Sequence, residues 1–176
     1  MVDTGLIHIY CGDGKGKTTA AIGLTIRCAG HGGRVWFCQF LKSQPTGELS
    51  ILNALPTVMV LRSHAIPKFT FQMTAEELAK TRQQQTQFFK QITARCQTEQ
   101  PDMIILDEII SACNLQLVAE ADILSFLHHK PNASEVILTG RNPSPALLDI
   151  ADYVSEICKR KHPYDRGITA RLGIEK

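Results

Sequence analysis

The sequence predicts an α/β fold: one mostly parallel sheet with helices on both faces, forming a single domain over residues 1–176. Three observations predict it. Short aliphatic runs bounded by Gly, Pro or polar residues recur along the chain, segments with helix start signals separate them, and no Pro/Gly/Ser-rich linker or internal repeat divides the sequence. A chain of 176 residues can also bury about 70% of its unfolded surface in one core.

Leu6 to Cys11 is the first apolar strand, and the glycine-rich stretch from Gly12 to Thr19 turns it into a helix ending near Gly30. Val35 to Leu41 and Val58 to Leu61 are the next buried strands. Thr74-Ala75-Glu76-Glu77 has the spacing of a capping box, which starts a long Gln-rich helix running to about Gln97. Met103 to Leu106 is an aliphatic strand closing on Asp107-Glu108, and Glu135 to Thr139 another closing on Gly140-Arg141. Ser144-Pro145 opens a later helix, with Pro where no helical amide is lost, and Tyr153 to Ile157 is a last strand.

Composition excludes several classes. Hydrophobic residues at 44% and charged residues at 20% describe an ordinary globular chain, not a disordered, collagen-like or coiled-coil one. A net charge of +2 is too small to imply a nucleic-acid or membrane partner, so any basic site is local. The six cysteines contain no C-x-x-C pair, which leaves zinc ligation and thioredoxin-type chemistry without support; they read as reduced, mostly buried thiols. No basic leader or membrane-length apolar run is present, and a cytoplasmic location is expected.

In parallel sheets ligands bind at the carboxyl ends of strands, where the Gly12 loop, Asp107-Glu108 and Gly140-Arg141 all fall. Gly16-Lys17-Thr18 supplies the end of a phosphate-binding loop: glycines let amides turn inward, Lys17 brings positive charge and Thr18 a hydroxyl for Mg²⁺. The strict pattern requires Gly at position 11, and Cys11 stands there instead. Glu108, with Asp107, offers carboxylates to the same metal, although an acidic pair ending a strand is also a common helix cap. Arg141 fits a phosphate contact or a surface salt bridge. The loop therefore predicts a P-loop NTPase-like fold, and no residue stands out as the base that phosphoryl transfer needs.

The shifted loop, Gly12-Asp13-Gly14-Lys15-Gly16-Lys17-Thr18-Thr19-Ala20, resembles that of the P-loop type of ATP:corrinoid adenosyltransferase. The resemblance continues through Gln39-Phe40-Leu41-Lys42, Gly47-Glu48, Ile105-Leu106-Asp107-Glu108, Leu138-Thr139-Gly140-Arg141-Asn142 and Lys161-His162-Pro163-Tyr164-Asp165 to Gly173-Ile174-Glu175. It implies transfer of the 5′-deoxyadenosyl group of ATP to the Co(I) of a reduced corrinoid, with inorganic triphosphate leaving. Cobalt is then the nucleophile, and no base is needed.

By position, the resemblance implies that Gly12, Asp13, Gly14, Lys15, Gly16, Lys17, Thr18 and Thr19 cradle the triphosphate. It further implies that Thr18 and Glu108 hold Mg²⁺ or Mn²⁺, that Lys17 and Arg141 act on the phosphates, and that Arg27 lies near the corrinoid. Phe69 and Phe71 match aromatic residues that pack on the lower face of the corrinoid, where ordinary core packing is the alternative. A homodimer and an electron donor such as a reduced flavoprotein complete the expectation. The chain departs from the family pattern at Asp13, Ser43 and Lys176. A P-loop kinase or ATPase, and a nucleotide-dependent corrinoid carrier, are the competing functions.

Overall fold

A computed structural model describes residues 4–42, 46–63, 68 and 70–175. Ser43, Phe69 and Lys176 therefore lie outside the described residues. Six strands form one sheet in the order β3-β2-β4-β5-β1-β6, and every pairing is parallel. The strands are β1 (Ile7–Cys11), β2 (Val35–Gln39), β3 (Val58–Arg62), β4 (Met103–Asp107), β5 (Glu135–Thr139) and β6 (Tyr153–Glu156). The second and last strands thus stop short of the ends expected at Leu41 and Ile157. Leu41 adopts a left-handed φ of 60°, which turns the chain out of the sheet.

Side-chain alternation divides the core into two layers. Along β4, Ile104 and Leu106 pack on one face with Phe89, Ile110, Ile123 and Leu147. Met103 and Ile105 point to the other face, where Ala21 and Leu52 cover them. Helices α1 (Lys17–Gly30) and α2 (Gly47–Ala54) therefore cover one face; α3 (Ala75–Glu99), α4 (Ile109–Asn114), α5 (Glu120–His128) and α6 (Pro145–Ile150) cover the other. The α3 capping box is present, with Thr74 Oγ1 accepting from the Glu77 amide and the Glu77 carboxylate accepting from the Thr74 amide. Ser144 caps α6 by accepting from the Leu147 amide.

The same alternation lines up polar residues where the core strands end. Register pairs Arg62 with Gln39 and Gln39 with Asp107, so adjacent strands present their last side chains in one row. Position 107 follows Met103 and Ile105 onto the α1 face, and the row therefore meets the start of α1. The cysteines are all unpaired; burial pushes the Cys96 thiol up to about 12 and Cys38 well above its ordinary value, which makes both poor nucleophiles. No described helix is long and apolar enough to cross a membrane.

Candidate functional site

The loop between β1 and α1 is shaped by its packing against the segment after β6. The Gly14 amide donates to the Ile157 carbonyl at 2.7 Å. Gly12 has a left-handed φ of 99°, and a Cβ there would lie 2.5 Å from that same carbonyl oxygen. A side chain is excluded on both counts, which accounts for glycine at 12. Asp13 turns away from the loop, accepting from the Lys159 amide at 2.9 Å. That hydrogen bond, with Lys159 and Arg141 nearby, holds its carboxyl below the usual aspartate value.

Helix α1 begins without a side-chain cap at Gly16 and without an acidic residue in its first turn. Its free amides and positive dipole end are thus available to an anion. Lys17 is buried and donates to the carbonyls of Gly12 and Gly14, both at 2.8 Å, so its ammonium is held inside the loop. Burial lowers its pKa, opposed by Glu108 and reinforced by Arg141.

Asp107 is fully buried at the end of β4 and gathers the groups around it. Its Oδ1 accepts from Thr18 Oγ1 at 2.9 Å and from Thr139 Oγ1 at 2.8 Å. Its Oδ2 accepts from Lys42 Nζ at 2.8 Å and, at 3.4 Å, from Gln39 Nε2. Thr139 Oγ1 also accepts from the Glu108 amide at 2.9 Å. Glu108 itself adopts a left-handed φ of 63°, and its carboxylate is held by Ser111 Oγ at 2.7 Å. A non-glycine residue in that region is strained, and here the strain sets the direction in which the carboxylate leaves the strand.

Gly140 follows Thr139 with φ 151°, and a Cβ would meet Ile110 at 2.6 Å. Its absence lets β5 pass directly beneath α4 and deliver Arg141 to the rim. The Arg141 and Asn142 carbonyls both accept from Asn114 Nδ2, which fixes this turn. Arg141 is exposed and makes no salt bridge among the described residues.

These parts surround a cleft of about 680 Å³ that reaches from Lys15, Lys17 and Thr19 to Lys42, Glu108 and Arg141, with Ile174 and Glu175 of the C-terminal segment on its wall. Positive groups line the loop side, Thr18 and Glu108 bring hard oxygen donors to the cleft, and the buried Asp107 stands behind Thr18, hydrogen-bonded to it. Mg²⁺ is held by one or two carboxylates together with phosphates and waters, so this donor set fits it. The buried Gln39 Oε1, whose side chain lies beside Asp107 and which has no hydrogen-bond partner among the described residues, fits too, since a metal-bound water would satisfy it.

The expected loop residues, Thr18, Glu108 and Arg141 are thus brought together. Arg27 is not with them: it sits exposed in the last turn of α1, ten residues beyond Lys17 and about 15 Å along the axis. Phe71 lies in a short 3-10 turn, Thr70–Gln72, on the segment that leaves the β3 end of the sheet, and is 81% exposed. The core position considered for it is therefore not where the side chain goes. Sequence reasoning gave no role to Lys42 or Thr139 and none to Asp107 apart from Glu108. The signal available was their occurrence at or just beyond strand ends.

Comparison with known proteins adds the following. The profile of the family described as ATP:corrinoid adenosyltransferase BtuR/CobO/CobP matches residues 3–175. The chain is similar to Corrinoid adenosyltransferase CobA of Salmonella typhimurium strain LT2, at 33% identity over 185 residues, covering 98% of this chain and 86% of that protein. It is 30% identical to Corrinoid adenosyltransferase of Escherichia coli K12 over 181 residues, with coverages of 98% and 86%. It is 31% identical to Corrinoid adenosyltransferase of a Sinorhizobium species over 176 residues, with coverages of 98% and 81%.

Proposed function

Because the chain belongs to the ATP:corrinoid adenosyltransferase family, we propose that the cleft between the β1–α1 loop and the ends of β4 and β5 binds the triphosphate of ATP and directs its C5′ carbon to a reduced corrinoid. The activity is transfer of the adenosyl group of ATP to a corrinoid. In the reaction, the Co(I) electron pair forms the Co–C5′ bond while the C5′–O bond breaks, and that oxygen leaves with inorganic triphosphate. No proton has to be removed from the nucleophile, so the reaction leaves Glu108 free to serve the metal instead of acting as a base.

The observation that carries this reading is the convergence on one cleft of Lys17, Arg141 and the uncapped α1 N-terminus with Thr18 and Glu108, Thr18 being held from behind by the buried Asp107. Negative charge builds on the leaving triphosphate, and preorganised donors stabilise such charge without reorganising. Lys17 supplies an ammonium already desolvated inside the loop, and Arg141 a planar fork at the rim. Thr18 and Glu108, oriented through Asp107, Thr139 and Ser111, would hold Mg²⁺ or Mn²⁺. The metal, when bound, neutralises phosphate charge and fixes the triphosphate relative to C5′.

The exposed Phe71 supports a corrinoid wall on the segment beyond β3, with Phe69 beside it in sequence. An apolar wall there excludes a lower ligand from cobalt, and a cobalt centre without that ligand is easier to reduce. Arg27, distant from the cleft along α1, is assigned to the corrinoid by family resemblance alone. A homodimer, a reduced flavoprotein as electron donor and a cytoplasmic location complete the proposal, as does a single functional domain over residues 1–176. The test is the nucleotide product. With ATP, Mg²⁺ and chemically reduced corrinoid, triphosphate is expected; ADP would instead point to phosphoryl transfer.

A further inference from the structure

Asp107 is a fully buried carboxylate, and a charge in that position needs a cation. Among the described residues that cation is the Lys42 ammonium, 2.8 Å from Asp107 Oδ2. The same Nζ lies 3.3 Å from Thr18 Oγ1. It thus bridges an oxygen of the buried Asp107 on β4 and the hydroxyl of Thr18 on α1, which borders the cleft. Lys17 cannot serve there, because its own Nζ is held by the Gly12 and Gly14 carbonyls.

The attachment of Lys42 is firm at the backbone and loose beyond it. Its amide donates to Phe40 O at 2.7 Å and its carbonyl accepts from Arg62 at 3.0 Å, whereas its side chain is 25% exposed and borders the cleft. A four-carbon stem with a pinned base can move its ammonium several ångströms without disturbing the sheet.

We propose that Lys42 is an exchangeable counter-ion of the metal seat: its ammonium holds Asp107 and Thr18 together while no divalent cation is bound, and leaves when one arrives. A divalent ion beside those oxygens would stand close to the Lys42 ammonium and repel it, so metal binding is a competition with Lys42. Once displaced, the ammonium remains on the cleft wall, where it faces the triphosphate alongside Lys17 and Arg141. Lys42 is in this sense a positioning residue. It keeps the seat assembled before the substrate arrives and sets the metal affinity.

The inference rests on the reading of Thr18 and Glu108 as the metal seat and adds to it Asp107, which Thr18 joins by a hydrogen bond of 2.9 Å. It is tested by Mn²⁺ binding to the full chain without nucleotide, followed by electron paramagnetic resonance of the free ion. Lys42→Met and Lys42→Gln remove the competing charge and are expected to tighten Mn²⁺ binding about tenfold. Adding Asp107→Asn to Lys42→Met should abolish that gain. Unchanged or weaker Mn²⁺ binding by folded variants, or a gain that survives Asp107→Asn, would overturn the proposal. The wild type gives a measurement independent of whether the variants fold: the reactivity of the Lys42 amine toward an acylating reagent, read by peptide mass spectrometry, should rise when Mn²⁺ is added. No rise would equally overturn it. Adenosyl transfer by the wild type is assayed separately, so an absent product sinks the functional reading, whereas unchanged Mn²⁺ binding sinks this inference alone.

Discussion

Thr18 and Asp107, 89 positions apart in the chain, are joined by a hydrogen bond of 2.9 Å across the carboxyl ends of the strands. Thr18 begins α1, just after the loop that follows β1, and Asp107 ends β4; β5 lies between β1 and β4. Thr139, at the end of β5, fills the gap by donating to the same Asp107 oxygen and accepting from the Glu108 amide. Thr139 thus fixes the two carboxylate-bearing residues from the strand beside β1, while Thr18 joins them to the phosphate loop directly.

Replacing Thr139 by its isostere should show the dependence. Thr139→Val keeps the volume, leaves the Glu108 amide without its acceptor and removes one donor from Asp107. The expected loss is about 1–3 kcal/mol of stability, or a fall in Tm of roughly 2–12 °C at about 2–4 °C per kcal/mol for a chain this size. Thermal unfolding of the two proteins is the measurement. A Tm within a degree of wild type would mean that the Thr139 bonds are replaced by others.

Lys17 and Glu108 should fail differently. Lys17→Ala removes an ammonium facing phosphate and is expected to weaken ATP binding and turnover together. Glu108→Gln, which keeps the shape and loses the charge, should mainly raise the Mg²⁺ concentration needed for half-maximal activity. Activity measured over a grid of ATP and Mg²⁺ concentrations separates the two. An unchanged metal requirement in Glu108→Gln would remove Glu108 from the metal site.

What could be read in the sequence was whatever a local signal encodes. The glycine loop, the α3 capping box, the Ser144-Pro145 helix start and the aliphatic strands all stand close to their expected places because each depends on neighbours in the chain. The helices α2, α4 and α5 carry no such signal. Thr46 and Ala119 precede α2 and α5 without a side-chain cap bond, and α4 starts from Glu108 in a left-handed conformation that no propensity favours for glutamate. Tertiary burial of their apolar faces decides them. The same distinction applies in the site. Lys17 and Thr18 are legible from spacing, whereas the joint role of Lys42, Gln39 and Asp107 depends on the β2–β4 register, which no short-range pattern specifies.

Asp13 gives a prediction in pH. Its pKa is lowered by the Lys159 amide hydrogen bond, so the charged form is the one the fold favours. Its contribution is fully present above the ordinary aspartate value of 3.8 and is lost as pH falls through the lower folded value. Asp13→Asn retains an acceptor for the Lys159 amide but has no proton to gain. Its Tm should therefore decline less steeply than that of the wild type as pH is lowered from neutral to about 2. Parallel acid limbs for the two proteins would show that the contact contributes nothing through charge.

Phe71 separates a corrinoid wall from a packing role. Because the ring is 81% exposed, Phe71→Ala should change stability by no more than about 0.5 kcal/mol, not the 3–5 kcal/mol or so of a truncated core phenylalanine. Activity supplied with Co(II) corrinoid and a mild reductant should fall much more than activity supplied with preformed Co(I), since only the former passes through the reduction step. Equal losses in the two assays would contradict the assigned role.

The claim that this cleft transfers an adenosyl group is tested most directly by counting both products over many turnovers. The protein is incubated with excess ATP, Mg²⁺ and Co(I) corrinoid; adenosylcorrinoid is followed by its light-sensitive absorbance and the phosphates by ³¹P resonance. The account predicts one intact triphosphate for each cobalt–carbon bond formed, continuing well beyond one equivalent of protein. ADP or orthophosphate without adenosylcorrinoid, or product that stops at one equivalent, would contradict it.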